Sequence, residues 1–514
     1  MTSTINQSVS TGKGGRPTPH VQVAIIGTGF SGLGVAIRLL ENKIKDFVLL
    51  ERADEVGGTW RDNSYPGCAC DVASILYSYS FAQKSDWNST YGSRQELFDY
   101  LKDVADRYGV RPYVKFDHEV LDAKWDENLR RWEIKTSQGD YTAQVLVAGT
   151  GYLSDPVIPD IPGIEDFQGK IMHSSQWDHS YELDGRNVAV IGTGASAIQF
   201  VPAIQPKVGH LDLYQRSAPW VGPKADNPIK GVHAWALKRV PGYRAFRRGW
   251  NKNGREILAF LFKRPPLAEK TIQGMAARHL AKSVPDPELR AKLTPNFAVA
   301  CKRLLFSNKW YPAIQQDNVE IINGAIDKVT QNGVIGSDGR ERTVDAIILG
   351  TGFLATKRPI ADKLSGRGGV KLADAWEAGG MKAYRGTTVA GFPNLFLMLG
   401  PNTSLGHSSQ TVMIEAQIAY IVDAVKTLNK RGLSSVEVNP EAQESYNKEI
   451  ESWLDGSVWD PKTCTSWYTD STGRNPSIWP ANTRKFTRGT KKFDLDAYQV
   501  ATLAGAETHA DVKA

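Results

Sequence analysis

The chain has no apolar run long enough to cross a membrane as a helix. Of its 514 residues, 41% are hydrophobic and 23% are charged, and no stretch of about 18 consecutive apolar residues occurs. The first 20 residues lack the apolar segment of a signal peptide. We therefore expect a globular protein with a flexible leader over residues 1–20, no membrane span and a cytoplasmic location.

Cysteine is also scarce, with four residues in the whole chain, too few for a disulfide scaffold at this length. Cys68 and Cys70 have no neighbouring Cys or His that could complete a zinc site. The P-loop, H-E-x-x-H and G-x-S-x-G patterns are missing, and so is the C-x-x-x-x-C pair of disulfide reductases. We predict no metal site and a reducing compartment.

One stretch of the sequence contains many basic residues and very few acidic ones. The net charge is +7, and Glu256 alone opposes a run of cations formed by Arg244, Arg247, Arg248, Lys252, Arg255, Lys263 and Arg264. Such a run could contact nucleic acid or a membrane surface. Because no nucleic-acid motif accompanies it, we favour a solvated helical face and no nucleic-acid partner, and leave contact with a membrane surface open.

A glycine turn near the N-terminus predicts one dinucleotide site. V-A-I-I-G-T-G-F-S-G follows a β-branched strand and begins a helical pattern, with Gly27, Gly29, Ser31 and Gly32 at the turn. Glycines there let the backbone approach a pyrophosphate at a helix N-terminus. Glu51 closes the next strand, where a carboxylate is expected to accept hydrogen bonds from ribose hydroxyls.

A second glycine turn predicts a second nucleotide, and hence redox chemistry between two cofactors. V-A-V-I-G-T-G-A-S-A contains the predicted binding residues Gly192, Thr193, Gly194, Ala195, Ser196 and Ala197. Its following strand ends in Arg216 and Ser217, in place of a carboxylate. A guanidinium and a hydroxyl would bind a 2′-phosphate that a carboxylate would repel. We therefore predict NADPH and not NADH.

The alternation of strands and helices predicts an α/β fold with two Rossmann-like dinucleotide-binding domains and a helical insertion in the second. The expected division is a leader (1–20), a discontinuous first domain (21–155 and 356–500), a second domain (156–230 and 296–355), a helical insertion (231–295) and a loose tail (501–514).

Two further motifs identify a family. G-G-T-W-R-D-N-S-Y-P-G-C-A-C-D spans Gly57 to Asp71, and F-Q-G-K-I-M-H-S-S-Q-W-D begins at Phe167 and contains Gly169, His173 and Trp177. Both resemble the patterns of type I Baeyer–Villiger monooxygenases, flavoproteins that hold FAD and NADPH. The resemblance runs from about Val21 to Tyr498. Serine at position 64, where many relatives have arginine, departs from the family.

The resemblance implies roles for individual residues. Arg303 would be the active-site arginine, with Asp71 beside the reactive face of the flavin, and His173 would link cofactor binding to domain movement. Further FAD contacts would come from Gly58, Thr59, Trp60, Tyr77, Val120 and Gln410. Lys302 would contact the NADP phosphate, and Trp467 would lie on a mobile loop that closes over NADP and substrate. Each of these residues could instead be an ordinary structural or surface residue.

The implied activity is insertion of one oxygen atom from O2 beside a ketone carbonyl, giving an ester or lactone through a flavin peroxide and a rearranging adduct. Two alternatives remain: a flavin monooxygenase acting on nitrogen or sulfur, and an NADPH–flavin reductase. The sequence does not identify the ketone or the oligomeric state.

Overall fold

The computed structural model describes residues 18–464 and 466–502. The greater part of the predicted leader and tail lies outside these residues. Within them, the first strand already begins at His20 and the last continues to Thr502. The strands are β1 (His20–Ile26), β2 (Phe47–Leu50), β3 (Val114–Lys115), β4 (Val120–Asp126), β5 (Arg131–Thr136), β6 (Tyr141–Ala148), β7 (Lys170–His173), β8 (Asn187–Ile191), β9 (His210–Gln215), β10 (Val221–Gly222), β11 (Leu305–Phe306), β12 (Val319–Asn323), β13 (Ile326–Val329), β14 (Gly333–Gly336), β15 (Glu341–Thr343), β16 (Ala346–Leu349), β17 (Leu364–Ser365), β18 (Leu395–Leu397), β19 (Leu433–Val438) and β20 (Tyr498–Thr502).

The α-helices differ widely in length, from single turns to six turns. They are α1 (Phe30–Glu41), α2 (Thr59–Asp62), α3 (Arg94–Arg107), α4 (Ala197–Ile204), α5 (Gly231–Arg239), α6 (Tyr243–Phe262), α7 (Pro265–Ala268), α8 (Gly274–Ser283), α9 (Pro287–Lys292), α10 (Trp310–Ala313), α11 (Pro359–Asp362), α12 (Leu372–Gly379), α13 (Gln410–Arg431), α14 (Pro440–Leu454) and α15 (Thr483–Gly489).

The larger sheet combines strands from the N-terminal and the C-terminal parts of the chain. Its order is β17-β4-β5-β6-β1-β2-β3, and β18 pairs with the end of β6. The strands β1, β2 and β6 are parallel and nearly continuous in apolar residues, as expected where both sheet faces are covered. On one face α1 packs against α13, and a Cβ at Gly34 would come within 2.4 Å of Ile418. The C-terminal segment therefore completes the first nucleotide domain.

The second sheet is wholly parallel, in the order β12-β9-β8-β16-β7. It carries the second glycine turn after β8 and the family fingerprint on its edge strand β7. Helix α4 covers one face, with Phe200 and Val201 fully buried. In the sequence, the small sheet β13-β14-β15 comes between β12 and β16, the last two strands of this domain.

Helices α5 to α9 occupy most of the predicted insertion between the two parts of the second domain. Asp286 caps α9 by accepting from the backbone N–H groups of Glu288 and Leu289. Arg248 in α6 donates to the carbonyls of Ile75 and Leu76 at 3.0 Å each. The insertion is thus anchored on the first domain.

The structure adds one disulfide to the sequence-based expectation that the cysteines form no disulfide scaffold. Cys301 and Cys464 form a disulfide across 163 residues, while Cys68 and Cys70 are free. A single bond is not a scaffold, so the bulk count could not indicate it. The pairing arises because the segment before Arg303 and the segment before Trp467 pack together in the fold.

Candidate functional site

The first glycine turn borders a deep cavity at the carboxyl ends of β1 and β2. Gly27 has a φ of +92°, and a Cβ at Gly32 would lie 1.9 Å from the carbonyl oxygen of Gly27. Ser31 is buried in the first turn of α1, and no side chain caps that helix. Its N-terminal N–H groups therefore remain available to an anion such as a pyrophosphate.

The segment that begins the first family motif forms the opposite wall of this cavity. Gly58 faces Gly29 so closely that a Cβ on Gly58 would lie 3.1 Å from the Gly29 Cα atom. Thr59 and Trp60 follow in α2 and line the cavity. The Trp60 ring packs edge-on against Tyr77 at 5.5 Å, and Tyr77 is itself a lining residue.

Glu51 lies where a ribose partner was predicted, at the cavity wall and 4% exposed. It accepts from the backbone N–H and the hydroxyl of Thr28, at 3.0 and 2.6 Å. Arg61, which the sequence analysis did not single out, pairs with it at 3.1 Å. These contacts hold the carboxylate at the cavity wall, so that it can accept from ribose hydroxyls.

The remaining lining residues contain a second unpredicted arginine. Val120 and Gln410 line the cavity, and Gln410 donates to the Tyr152 hydroxyl at 2.8 Å. Arg358 also lines it. Its Nη1 donates to the Leu399 carbonyl, but its buried Nε has no partner, and burial lowers its pKa to about 10. A buried guanidinium without a carboxylate among the described residues fits an electron-rich ligand such as FAD.

The second glycine turn shows the same backbone pattern at the end of β8. Gly192 has a φ of +102°, and a Cβ there would lie 2.6 Å from the Gly350 carbonyl oxygen. Thr193 is buried, whereas Gly194 and Ala195 are exposed ahead of Ser196 and Ala197 at the start of α4. This arrangement leaves a nucleotide phosphate room to approach.

Two cations and a hydroxyl converge beside that turn. Lys302 donates to the Ser217 hydroxyl at 2.8 Å. Burial lowers the pKa of Lys302, and the nearby charge of Arg216 lowers it further. No carboxylate among the described residues pairs with either cation, so the group is suited to a phosphate dianion.

Asp71 and Arg303 form an ion pair between the two domains. Both Nε and Nη2 of Arg303 donate to one oxygen of Asp71, at 3.0 and 2.6 Å. Burial opposes ionisation of Asp71, but the guanidinium outweighs it and holds the Asp71 pKa below its ordinary value. Asp71 in turn raises the pKa of Arg303, so both groups stay charged.

Two tyrosines that the sequence analysis missed surround this pair. Tyr152, which lines the cavity beside the first glycine turn, and Tyr468 both act electrostatically to raise the pKa of Arg303. Tyr468 is 2% exposed, and burial raises its own pKa to about 12. No motif indicated either residue, because each reaches the site from a different part of the chain.

The fingerprint is a packing element of the second domain. Phe167 is buried, and a Cβ at Gly169 would lie 2.5 Å from its ring, so glycine is needed there. His173 ends β7; its Nδ1 accepts from the Ser175 N–H, and burial lowers its pKa. Its ring meets Phe353 at 5.7 Å, just after the strand that leads back to the first domain. Trp177 packs against Phe200.

Contacts between the two motif regions hold the domains together. Gln199 in α4 accepts from the Tyr65 hydroxyl at 3.0 Å and donates to the Ala69 carbonyl at 2.9 Å. The Ser64 hydroxyl lies 2.9 Å from Nε2 of His179, immediately after the fingerprint. The position that departs from the family pattern therefore takes part in the domain contact.

Trp467, predicted to close over NADP and substrate, has an exposed side chain in this structure. It is 43% exposed and packs against Tyr468, with ring centroids 4.2 Å apart. The disulfide nevertheless fixes its segment near Arg303, because Cys464 precedes Trp467 by three residues and Cys301 precedes Arg303 by two. A closing role for Trp467 remains a prediction.

One acidic group resembles a metal site but already contains a cation. His210, Asp212 and Glu320 bring their ligand atoms within 4.8 Å of one another. Arg342 is buried among them, donates to Glu320 at 2.7 Å and lies 3.8 Å from Asp212. Its guanidinium supplies the positive charge that this group requires.

Comparison with known proteins agrees with this geometry. Residues 24–245 match the family model described as pyridine nucleotide-disulphide oxidoreductase. The fold resembles a closed crystal structure of cyclohexanone monooxygenase, with a TM-score of 0.84, 27% identity and coverage of 94% of this chain and 100% of that one. It also resembles an oxidised steroid monooxygenase bound to NADP, with a TM-score of 0.82, 27% identity and coverage of 94% and 99%. The protein is an FAD- and NADP-dependent flavoprotein monooxygenase.

Two relatives define the family more narrowly. A Baeyer–Villiger monooxygenase of Streptomyces coelicolor is 46% identical over 492 residues, covering 96% of this chain and 95% of its own. One from Pseudomonas aeruginosa is 46% identical over 495 residues, covering 95% and 93%. The chain belongs to the Baeyer–Villiger monooxygenases, and the predicted family, fold class and pair of cofactors are confirmed. Within the described residues, no helix is long and apolar enough to cross a membrane.

Proposed function

We propose that this enzyme uses Arg303, held by Asp71, to oxygenate a small-molecule ketone with O2 and NADPH, giving an ester or lactone. The observation that carries the proposal is the paired donation from Arg303 to a single Asp71 oxygen at the boundary of the two nucleotide domains. FAD held in the cavity would supply the redox chemistry, with NADPH as the hydride source and O2 as the oxidant.

Arg303 is suited to stabilise negative charge on the reacting oxygen atoms. Its guanidinium stays protonated, since Asp71 raises its pKa, and it offers several fixed donors. Asp71 contacts it through one edge, which sets the orientation of the other donors. Tyr152 and the buried Tyr468 lie beside the pair. Preorganised donors in such a site cost no reorientation during the reaction.

The same proposal assigns cofactor selection to a separate group of residues. Arg216, Ser217 and Lys302 would bind the 2′-phosphate that distinguishes NADPH from NADH. Glu51, Gln410 and the residues of the first glycine turn would hold FAD. Since the reaction consumes NADPH, the cytoplasm remains the proposed location. Disulfides in a reducing compartment are usually transient, and the Cys301–Cys464 bond would form and break there with the redox state.

A panel of linear, cyclic and aryl ketones, incubated with NADPH and analysed by product chromatography, tests the proposal. We expect at least one ketone to raise NADPH consumption and to yield an ester in matching amount. Oxygenation of amines or thioethers without any ester would indicate nitrogen or sulfur chemistry instead. NADPH consumption that no ketone converts into product would indicate a reductase.

A further inference from the structure

Helices α5 and α6 carry an unusual concentration of exposed apolar side chains. Seven of the thirteen large apolar residues exposed in the described chain fall between positions 232 and 260. They are Val232, Trp235, Val240, Phe246, Trp250, Ile257 and Phe260. Scattered single residues of this kind need no explanation, but a group within 29 positions does.

Four of these residues form one stripe along α6. Phe246, Trp250, Ile257 and Phe260 recur at intervals of four, seven and three residues, which places them on one face of a helix. They are 61%, 66%, 62% and 52% exposed. We refer to these four residues as the α6 stripe.

The opposite face of α6 packs on the protein with both polar and apolar side chains, among them the buried Phe262. Arg248 pairs with Glu415 at 3.2 Å and donates to backbone carbonyls of the first domain. Glu256 accepts from the Thr483 N–H at 3.1 Å. Helices of globular proteins ordinarily bury their apolar face. Because α6 already buries Phe262 on its inner face, the exposed α6 stripe is a second apolar face of the same helix, available to another partner.

The charge around the stripe is of one sign. Residues 231–264 contain nine lysines and arginines and one acidic residue, and that residue, Glu256, is held on the inner face. Lys230, Lys238, Arg239, Lys263 and Arg264 are exposed, and Arg264 lies 3.7 Å from the centre of the Phe260 ring. Aromatic and aliphatic residues flanked by cations are the composition of helices that lie in an anionic membrane interface.

A second copy of the chain is a poorer partner for this face. In a two-fold dimer the same patch meets itself, which would bring like charges together without acidic residues to pair them. The exposed aromatic residues also argue against the purely solvated basic face favoured from sequence. Ile257 in the stripe offers no stacking surface to a nucleic-acid base.

We propose that α5 and α6 dock this enzyme reversibly on an anionic phospholipid surface, with the α6 stripe inserted at the level of the headgroups and the flanking cations bound to lipid phosphates.

Vesicle co-sedimentation of the FAD-loaded full chain tests this. Vesicles of phosphatidylcholine with 30% phosphatidylglycerol are compared with pure phosphatidylcholine, at about 0.1 M and at 0.5 M NaCl. We expect binding to the anionic vesicles that weakens at high salt. The double variant Trp250→Ser/Phe260→Ser should bind the anionic vesicles at least about tenfold more weakly than the wild type does. Lys263→Glu/Arg264→Glu should weaken binding by a similar factor.

The matched control is Leu121→Ser/Val370→Ser, which removes two apolar residues, each 50% exposed, from elsewhere on the surface. It should bind as the wild type does, and FAD absorbance and turnover of a water-soluble ketone should be unchanged in all variants. Equal binding to both kinds of vesicle, or undiminished binding by both of these double variants, would overturn the proposal. The proposal would also fail if sedimentation velocity showed a wild-type dimer that Trp250→Ser/Phe260→Ser dissociates. It would fail as well if the chain bound single-stranded DNA through the α6 stripe and did not bind vesicles.

Discussion

Arg303 and Asp71 lie 232 residues apart in the chain, yet two nitrogen atoms of the arginine donate to the same oxygen of the aspartate. The side chains come from different domains, so the pair exists only when the domains are assembled. It therefore links domain arrangement to the chemistry proposed for the site.

Replacing Arg303 with alanine should abolish ester formation while FAD remains bound. A well-placed donor of this kind is worth about 2.7–4 kcal/mol, or roughly a hundred- to thousandfold in rate. NADPH oxidation should stay measurable and release hydrogen peroxide, which stopped-flow absorbance and product analysis would detect. Arg303→Lys keeps the charge but loses the forked geometry, so it should recover only part of the rate. Ester formation near the wild-type rate in Arg303→Ala would contradict the proposed site.

Removing the cations beside Ser217 should change the choice of nucleotide. Each charge-assisted contact contributes about 1.5–3 kcal/mol, so Arg216→Ala and Lys302→Ala should each raise the KM for NADPH at least tenfold. The KM for NADH should hardly change. Arg340→Ala, which alters a 68%-exposed arginine of the same domain, is the control. An equal loss with both nucleotides would show that these residues are structural.

Trp467→Ala tests the predicted closing segment. If this residue covers NADP and substrate in the closed enzyme, its loss should leave fold and FAD content intact and divert more NADPH oxidation into peroxide. The ratio of ester formed to NADPH consumed is the measurement. The control is Trp235→Ala, which removes a similarly exposed ring from α5 and should keep the wild-type ratio. A wild-type ratio in Trp467→Ala would show that the Trp467 ring has only a packing role.

Breaking the Cys301–Cys464 bond should affect both stability and coupling. Closing a loop of this size raises the free energy of the unfolded chain by up to about 5 kcal/mol. Cys464→Ser should therefore lower the Tm. It should also raise peroxide release, because the segment before Trp467 loses its attachment beside Arg303. Cys301→Ser and wild-type enzyme treated with dithiothreitol should match it, whereas Cys68→Ser should not. Identical Tm and coupling with and without reductant would refute the prediction.

Local patterns could predict the parts of this fold that depend on neighbouring residues. Gly27, Gly192 and Glu51 were recognisable because a strand, a turn and a helix follow one another directly in the sequence. Arg303 was found only through its family motif, since a lysine–arginine pair by itself is an ordinary surface feature.

Features created by the meeting of distant segments gave no local signal. Tyr468, Arg358 and the bond between Cys301 and Cys464 depend on how the C-terminal part packs on the two nucleotide domains. The cations of α6 were visible in the sequence, but which side of the helix faces the protein was not. The basic run was therefore interpreted as a solvated face, and the outward direction of Trp250 became evident only in the fold.

The late pairing of β18 with β6 also has a consequence for biosynthesis. Asn394, just before β18, donates to the Gln144 carbonyl 250 residues earlier, and β18 pairs with residues 146–148 of β6. While the ribosome synthesises the entire second domain, that edge of β6 has no neighbouring strand, and exposed edges invite misassembly. The first domain thus matures last, and we expect nascent chains that end before residue 394 to depend on chaperones and to retain no flavin.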